Sequence, residues 1–146
     1  MPKRLIHIWI MLWLIIIVGI TPIIHAQGVS MAADAEKLDA LGQTYYQGGK
    51  YPQALECFQK SLSIYLKALG PEHPSTAISY HNIGRVYSKM EDYSKALENY
   101  TKALSIELKA LGPEHPSTAI SYNNIGKVYS KMEDYSKALE NYTKAL

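Results

Sequence analysis

The chain has 146 residues, 47% of them hydrophobic and 19% charged, a composition typical of a folded chain and not of a disordered one. Its one cysteine, Cys57, excludes an internal disulfide framework and a cysteine-rich zinc module. The formal net charge of +2 comes from Lys3 and Arg4 alone, so the rest of the chain is neutral and carries no charge pattern for nucleic acid.

Residues 1–26 have the layout of a secretory signal peptide: a short basic start, an apolar run over 5–20, and the small residue Ala26 before the expected cleavage point. The apolar stretch is also long enough to cross a bilayer, so an uncleaved membrane anchor is the alternative. Both interpretations place the rest of the chain outside the cytoplasm, as a secreted or periplasmic protein or as a membrane-anchored one. Translation from Met31, which would leave a cytoplasmic chain, is a third alternative.

The chain from 27 to 146 contains a repeat with a period of 42 residues. Segments 63–104 and 105–146 align without gaps and are identical at 39 of 42 positions. The three differences are Tyr65/Glu107, His81/Asn123 and Arg85/Lys127. A weaker copy precedes them by the same period, and self-similarity at such a period is typical of a solenoid.

Each copy is predicted to form two helices. In the middle copy, apolar residues recur at steps of three and four over 75–90 and again over 94–111, with a short turn between them. Gly112 and Pro113 are the expected end of the second helix, because glycine suits the position after a helix and proline cannot continue one.

Gly84 in the middle of a predicted helix costs about 1 kcal/mol relative to alanine, which indicates a close helix crossing. Ala96 and Ala103 are the small residues expected to face it, and tyrosines fill the remaining core. The structural positions shared by the copies are Gly42, Tyr45, Ala54 and Phe58, then Tyr80, Gly84, Tyr87, Ala96, Tyr100 and Ala103, then Tyr122, Gly126, Tyr129, Ala138 and Tyr142.

The spacing Tyr80-x-x-Ile83-Gly84-x-x-Tyr87, followed by Ala96-x-x-x-Tyr100-x-x-Ala103, resembles the tetratricopeptide repeat. The 42-residue period and the linker Leu-Gly-Pro-Glu-His-Pro are similar to those of the kinesin light chain subtype. The resemblance implies an all-α fold, a right-handed α-solenoid of antiparallel helix pairs behind the apolar leader. It covers a tetratricopeptide repeat domain at 27–146, with copies at 33–70, 75–112 and a shortened 117–146.

The third copy stops inside its second helix, so we expect it to expose apolar surface that a further helix would cover. Two alternatives are open: the chain is a fragment of a longer protein, or it self-associates through this surface.

No arrangement of side chains predicts catalysis. Ser75 and Ser117 follow His-Pro pairs at helix starts, where capping by serine explains them better than a nucleophile does. His73 and His115 are too few for a closed metal site, which needs about four ligands. The expectation is a non-catalytic protein with no metal or cofactor. Cys57 is expected to be a buried thiol, with an interchain disulfide as the alternative.

The resemblance also implies a concave groove, lined by the first helix of each copy, that binds an extended peptide or a helix of a protein partner. The predicted groove positions are His81, Asn82, Arg85 and Lys89 in the second copy and Asn123, Asn124, Lys127 and Lys131 in the third, with Asp39 and Gln43 in the first. Four of these side chains are cationic, which favours an acidic peptide. The alternative interpretation is that these residues form the solvent-exposed face of an amphipathic helix and bind nothing.

The sequence therefore predicts a peptide-binding or protein-binding scaffold outside the cytoplasm, with no nucleic-acid partner and with membrane contact only if the leader is uncleaved. The alternative function is a membrane-tethered sensor or assembly segment belonging to a longer protein.

Overall fold

The computed structural model describes residues 30–146, all of whose regular structure is helical. The helices are α1, which is helical through 30–47, α2 (Tyr51–Ala68), α3 (Pro74–Lys89), α4 (Tyr93–Ala110), α5 (Pro116–Lys131) and α6 (Tyr135–Lys144). The predicted signal peptide or anchor at 1–26 lies outside the described residues. Among the described helices, none combines the length and apolar character that a membrane crossing needs.

The predicted helices of the middle copy, 75–90 and 94–111, differ from α3 and α4 by one residue at each end. Helices α3 and α5 begin with a proline, whose missing N–H is unneeded there. The expectation that serine caps them is wrong. The ring of His73 is the cap, since its Nδ1 accepts a hydrogen bond from the backbone N–H of Ser75 at 3.1 Å. His115 and Ser117 repeat the arrangement at 3.2 Å.

The second helix of each near-identical copy has an aspartate cap at its start. The carboxylates of Asp92 and Asp134 accept hydrogen bonds from the backbone N–H groups of Lys95 and Lys137. At the other end of α4, Gly112 has a φ of +88° and its N–H returns to a carbonyl of the last helical turn. The predicted glycine terminus is therefore confirmed.

Successive helices pack against each other in chain order, which confirms an all-α solenoid of antiparallel helix pairs. Three successive junctions between helices each have a small core. These cores consist of Ala54, Phe58, Ile83 and Val86 between α2 and α3, of Ala77, Ala103 and Ile106 between α3 and α4, and of Ala96, Tyr100, Leu104, Ile125 and Val128 between α4 and α5. Two of these three cores join one repeat to the next, so each repeat is stabilised in part by its neighbours.

The close crossing at Gly84 is confirmed, but the residues predicted to face it are not the nearest ones. A Cβ added at Gly84 would lie 2.9 Å from Cδ1 of Tyr100. The same ring contact joins Gly42 to Phe58 and Gly126 to Tyr142, at 2.8 and 2.7 Å. Each aromatic ring lies sixteen residues after its glycine and needs all of the space that a side chain would take. Ala96 and Ala103 are fully buried in the cores described above.

The third repeat exposes apolar side chains, as expected. Residues 135–146 are identical to residues 93–104. Leu139 is nevertheless 68% exposed on α6, whereas Leu97, at the same position in α4, is partly buried against the α4–α5 core. The difference arises because α5 covers α4, and no described helix covers that face of α6.

Candidate functional site: the groove between α3 and α5

A groove of about 620 Å³ runs along the C-terminal halves of the first helices α3 and α5. Six of the eight residues predicted for the second and third copies line it, namely His81, Arg85, Lys89, Asn124, Lys127 and Lys131. Two do not: Asn82 lies beside the groove, bonded to Arg85, and Asn123 is exposed to solvent. The structure thus brings most of the predicted residues together. Their role in binding stays a prediction.

The charged side chains that line the groove are all cationic. Arg85 and Lys89 come from α3, and Lys127 and Lys131 from α5, while no carboxylate belongs to the lining. Within the described residues none of these four forms an ion pair. The lysines that do are Lys37, Lys60, Lys95, Lys102, Lys109, Lys137 and Lys144. The groove is therefore a local positive surface on a body that is formally neutral.

Arg85 is held in place by the first repeat and by its own helix. Its guanidinium carbon lies 4.4 Å from the centroid of the Tyr46 ring, a cation–π distance. Its Nη1 donates to Oδ1 of Asn82 at 3.3 Å, and Oε1 of Gln43 lies 3.5 Å away. Since a guanidinium has five N–H donors, others stay free for a ligand. Gln43 of the first copy thus contributes by positioning Arg85.

His81 joins α3 to α5 across the base of the groove. Burial, with a smaller effect of the nearby Arg85 charge, lowers the pKa of His81 to about 4, so the ring is neutral at pH 7. Its Nε2 lies 2.7 Å from Nδ2 of Asn124, where a neutral ring nitrogen accepts the amide hydrogen. The ring also meets Tyr100 edge to face, with centroids 5.1 Å apart. The hydrogen bond between His81 and Asn124 links α3 to α5, the two helices that line the groove.

Several residues of the groove wall are not among those predicted from the sequence. Tyr46, Ser88 and Ser130 line it and occupy the same position in the three copies. That position follows His81 by seven residues, so the helical stripe that contains His81 and Arg85 could have identified it. Tyr100 and Tyr142 were assigned to the core, but each also presents part of its ring to the groove.

Asp39, the remaining position named for the first copy, does not line the groove. Its carboxyl is partly buried beside Tyr65 and Ser61 on α2. Burial raises the pKa of Asp39, and the two nearby hydroxyls oppose the shift.

The cysteine and the two linker histidines have structural roles and lie outside the groove. Cys57 is 8% exposed, which confirms the buried thiol, and burial raises its pKa. The Nδ1 atoms of His73 and His115 are occupied as helix caps. Across residues 30–146 no three histidine, cysteine or carboxylate side chains come together as metal ligands.

Comparison with known proteins decides the family. The profile of the Tetratricopeptide repeat family matches residues 34–109 and 95–146. The chain belongs to this family. A search of curated proteins gives no significant match.

Solved structures of other tetratricopeptide repeat proteins have similar folds. BtubC (BKLC) from P. vanneervenii is 22% identical with a TM-score of 0.72, over 76% of this chain and 44% of its own. A candidate kinesin light chain of Podosopora anserina, with nearly identical TPR-like repeats, is 26% identical with a TM-score of 0.70, over 78% and 54%. The N-terminal domain of stress-induced protein-1 from C. elegans is 18% identical with a TM-score of 0.66, over 80% and 84%.

The chain spans about half the length of the first two of these proteins. The Podosopora structure is consistent with the predicted kinesin light chain subtype.

Proposed function

We propose that this tetratricopeptide repeat chain is a non-catalytic scaffold that binds an acidic segment of a protein partner in the groove between α3 and α5. The observation that carries the proposal is the unbalanced charge of the groove, with four cations and no carboxylate in its lining. Membership of a family whose repeats serve as protein-binding modules supports it.

The dimensions and chemistry of the groove suit a peptide. Its volume of about 620 Å³ accommodates several side chains. Tyr46, Tyr100 and Tyr142 supply aromatic surface, and Asn124 supplies an amide that can both donate to and accept from a peptide backbone. Exposed charge pairs contribute only about 0.2–1 kcal/mol each, so affinity should be modest and should fall as salt is added.

The test replaces Arg85 and Lys127 together by glutamine and measures peptide binding by fluorescence anisotropy. We expect the wild-type protein to prefer peptides rich in glutamate over the same peptides with lysine. The double variant should lose about threefold to tenfold in affinity for the acidic set. The matched control is Lys60→Gln with Lys102→Gln, which removes the same charge from exposed ion pairs outside the groove lining. Equal binding of both peptide sets, or an unchanged preference in the Arg85/Lys127 variant, would contradict the proposal.

The proposed location is outside the cytoplasm, supported by the signal-like residues 1–26. The second candidate is a membrane-tethered assembly segment of a longer protein, favoured by the uncovered apolar face of α6 and by the length of the apolar leader. N-terminal sequencing of the protein recovered from its native host separates them. A mature N-terminus at Gln27 supports secretion, whereas a retained leader in the membrane fraction supports the tethered segment.

A further inference from the structure

A second, smaller cleft adjoins the cationic groove at the N-terminal halves of α3 and α5. It has a volume of about 190 Å³ and is lined by Ile78, His81, Glu107, Ser117 and Ile120. His81 belongs to both the cleft and the groove. One continuous surface therefore changes from cationic at one end to acidic and aliphatic at the other.

Glu107 of α4 is a buried carboxyl group, one oxygen of which has no hydrogen-bond partner. The residue is only 6% exposed, and its Oε2 is buried without a hydrogen bond. Burial raises the pKa of Glu107, and the Ser121 hydroxyl and the more distant His115 oppose this shift only partly. An unpaired carboxylate in such surroundings is costly, so a ligand that brings it a cationic donor gains more than it would in water.

Comparison of the repeats explains why Glu107 is unpaired. The equivalent residue in the first copy is Tyr65, whose phenol lies against Asp39 on the preceding helix. The equivalent of Asp39 in the second copy is His81. Because His81 is neutral and its Nε2 is already taken by Asn124, it gives Glu107 no charge to pair with.

Two exposed aliphatic side chains flank the carboxyl group. Ile78 is 56% exposed and Ile120 is 53% exposed, and each lines the cleft from one of the two helices. A lysine side chain matches this combination, because its four methylenes pack on aliphatic surface while its ammonium reaches a carboxylate. A free acid or a purely apolar side chain would leave Glu107 unsatisfied.

We propose that this cleft is a subsite for the ammonium group of a lysine side chain, with Glu107 as its counterion and Ile78 and Ile120 against its methylenes. The inference rests on the proposed function in that the lysine belongs to the same peptide whose acidic residues lie in the cationic groove. Ile78 and Lys89 are eleven residues apart on α3, about 16 Å along the helix. An extended peptide covers that distance in about five residues.

The cleft is tested directly with n-butylammonium as the probe, by NMR titration of the full-length protein labelled at isoleucine methyl groups. We expect saturable shifts of the Ile78 and Ile120 methyls, with n-butanol giving much smaller ones. The shifts should disappear in Glu107→Gln and persist in Glu114→Gln, which alters an exposed carboxylate outside the cleft. The subsite would be overturned if the Ile78 and Ile120 methyl shifts did not change in the wild-type protein, or if they changed equally in Glu107→Gln.

A peptide pair then separates the subsite from the groove. Both peptides carry three glutamates, and five residues away one carries lysine and the other norleucine. Glu107→Gln should weaken the lysine peptide about fivefold to tenfold and leave the norleucine peptide within about twofold. Arg85→Gln with Lys127→Gln should weaken both peptides equally. Loss of the lysine preference only in the Glu107 variant supports the subsite. No effect of the Arg85/Lys127 variant would contradict the proposed function, and equal affinity of both peptides for the wild-type protein would contradict the subsite.

Discussion

A glycine in contact with an aromatic ring recurs once in each repeat and fixes how closely the paired helices approach. In the second repeat these residues are Gly84 and Tyr100, which is 3% exposed. Glycine in a helix costs about 1 kcal/mol relative to alanine. Because the ring occupies the space of the absent side chain, the packing of a large aromatic residue offsets that cost.

The substitution Gly84→Leu is predicted to destabilise the protein by about 1–3 kcal/mol, because the new side chain overlaps the Tyr100 ring. Thermal or urea unfolding measures the change. Gly48→Ala is the control, because a Cβ there meets only backbone oxygens of its own helix at 3.5 Å or more, and its effect should stay below about 0.5 kcal/mol. A Gly84→Leu protein that unfolds at the wild-type midpoint would remove the packing role of this glycine.

His81 should make stability fall in acid. Its pKa is about 4 in the folded protein against 6.5 for an ordinary histidine, so the unfolded chain binds a proton first as pH falls. The resulting loss begins near pH 6.5, is complete near pH 4, and amounts to about 1–3 kcal/mol. The raised pKa values of Asp39 and Glu107 act in the opposite direction.

The contribution of His81 is isolated by His81→Asn, which introduces the residue that the third copy has at this position. Unfolding free energies measured from pH 7.5 to 4 should decline less steeply in the variant than in the wild-type protein. Parallel pH profiles of the two proteins would show that His81 is protonated as easily in the folded state as in the unfolded chain.

At the scale of the helical hairpin, the turn between the two helices of a copy needs a residue in the left-handed region. The first copy uses Gly49, with a φ of +72°. The second and third copies have Glu91 and Glu133 in the same position, with φ of +61° and +62°. A residue with a Cβ is strained there, by about 1–2 kcal/mol.

Glu91→Gly is therefore predicted to stabilise the protein by about 0.5–1 kcal/mol. The substitution relieves the backbone strain, and the greater conformational entropy of glycine in the unfolded chain offsets part of that gain. Differential scanning calorimetry should show a higher melting temperature. Glu114→Gly is the matched control, since Glu114 lies in a linker and has no positive φ, and it should give no gain. If both variants lower the melting temperature, the turn is not strained.

Across the whole molecule, burial depends on position in the stack and not on sequence alone. Residues 93–102 of α4 and 135–144 of α6 are identical. Over the identical residues 93–104 and 135–146, the first segment has four buried residues, Ala96, Tyr100, Ala103 and Leu104, whereas the second has only Ala138. The two segments form an internal comparison in which the local sequence is the same and the packing differs, with α4 continuing to Ala110 and α6 ending at Lys144.

Native-state hydrogen exchange should show this difference. Amides of α6 are predicted to exchange at least about tenfold faster than the corresponding amides of α4, because opening α6 disrupts contacts on one side only. Their identical local sequences make the intrinsic exchange rates nearly equal, so the ratio reports packing directly. Equal protection of the two helices would mean that another surface covers α6 in solution.

Features that depend on short-range chemistry were predictable from the amino-acid sequence. The period of 42, the helix limits to within one residue, the glycine end of α4 and the position of Gly84 all follow from spacing along one helix or one turn. Six of the eight groove residues predicted for the second and third copies also meet in one groove, because residues four apart share a helix face and near-identical copies stack in the same orientation.

The groups that meet across helices were not predictable from the sequence, because they depend on how the helices pack. Tyr100 faces Gly84 and His81 bonds Asn124 across 16 and 43 positions of the chain, and one oxygen of Glu107 finds no hydrogen-bond partner on the neighbouring helices. The sequence predicts which face of each helix is apolar, but several partners on the neighbouring helix would satisfy that pattern. The distance and angle at which the helices cross select one of them, and these depend on the packing of all the side chains at the junction.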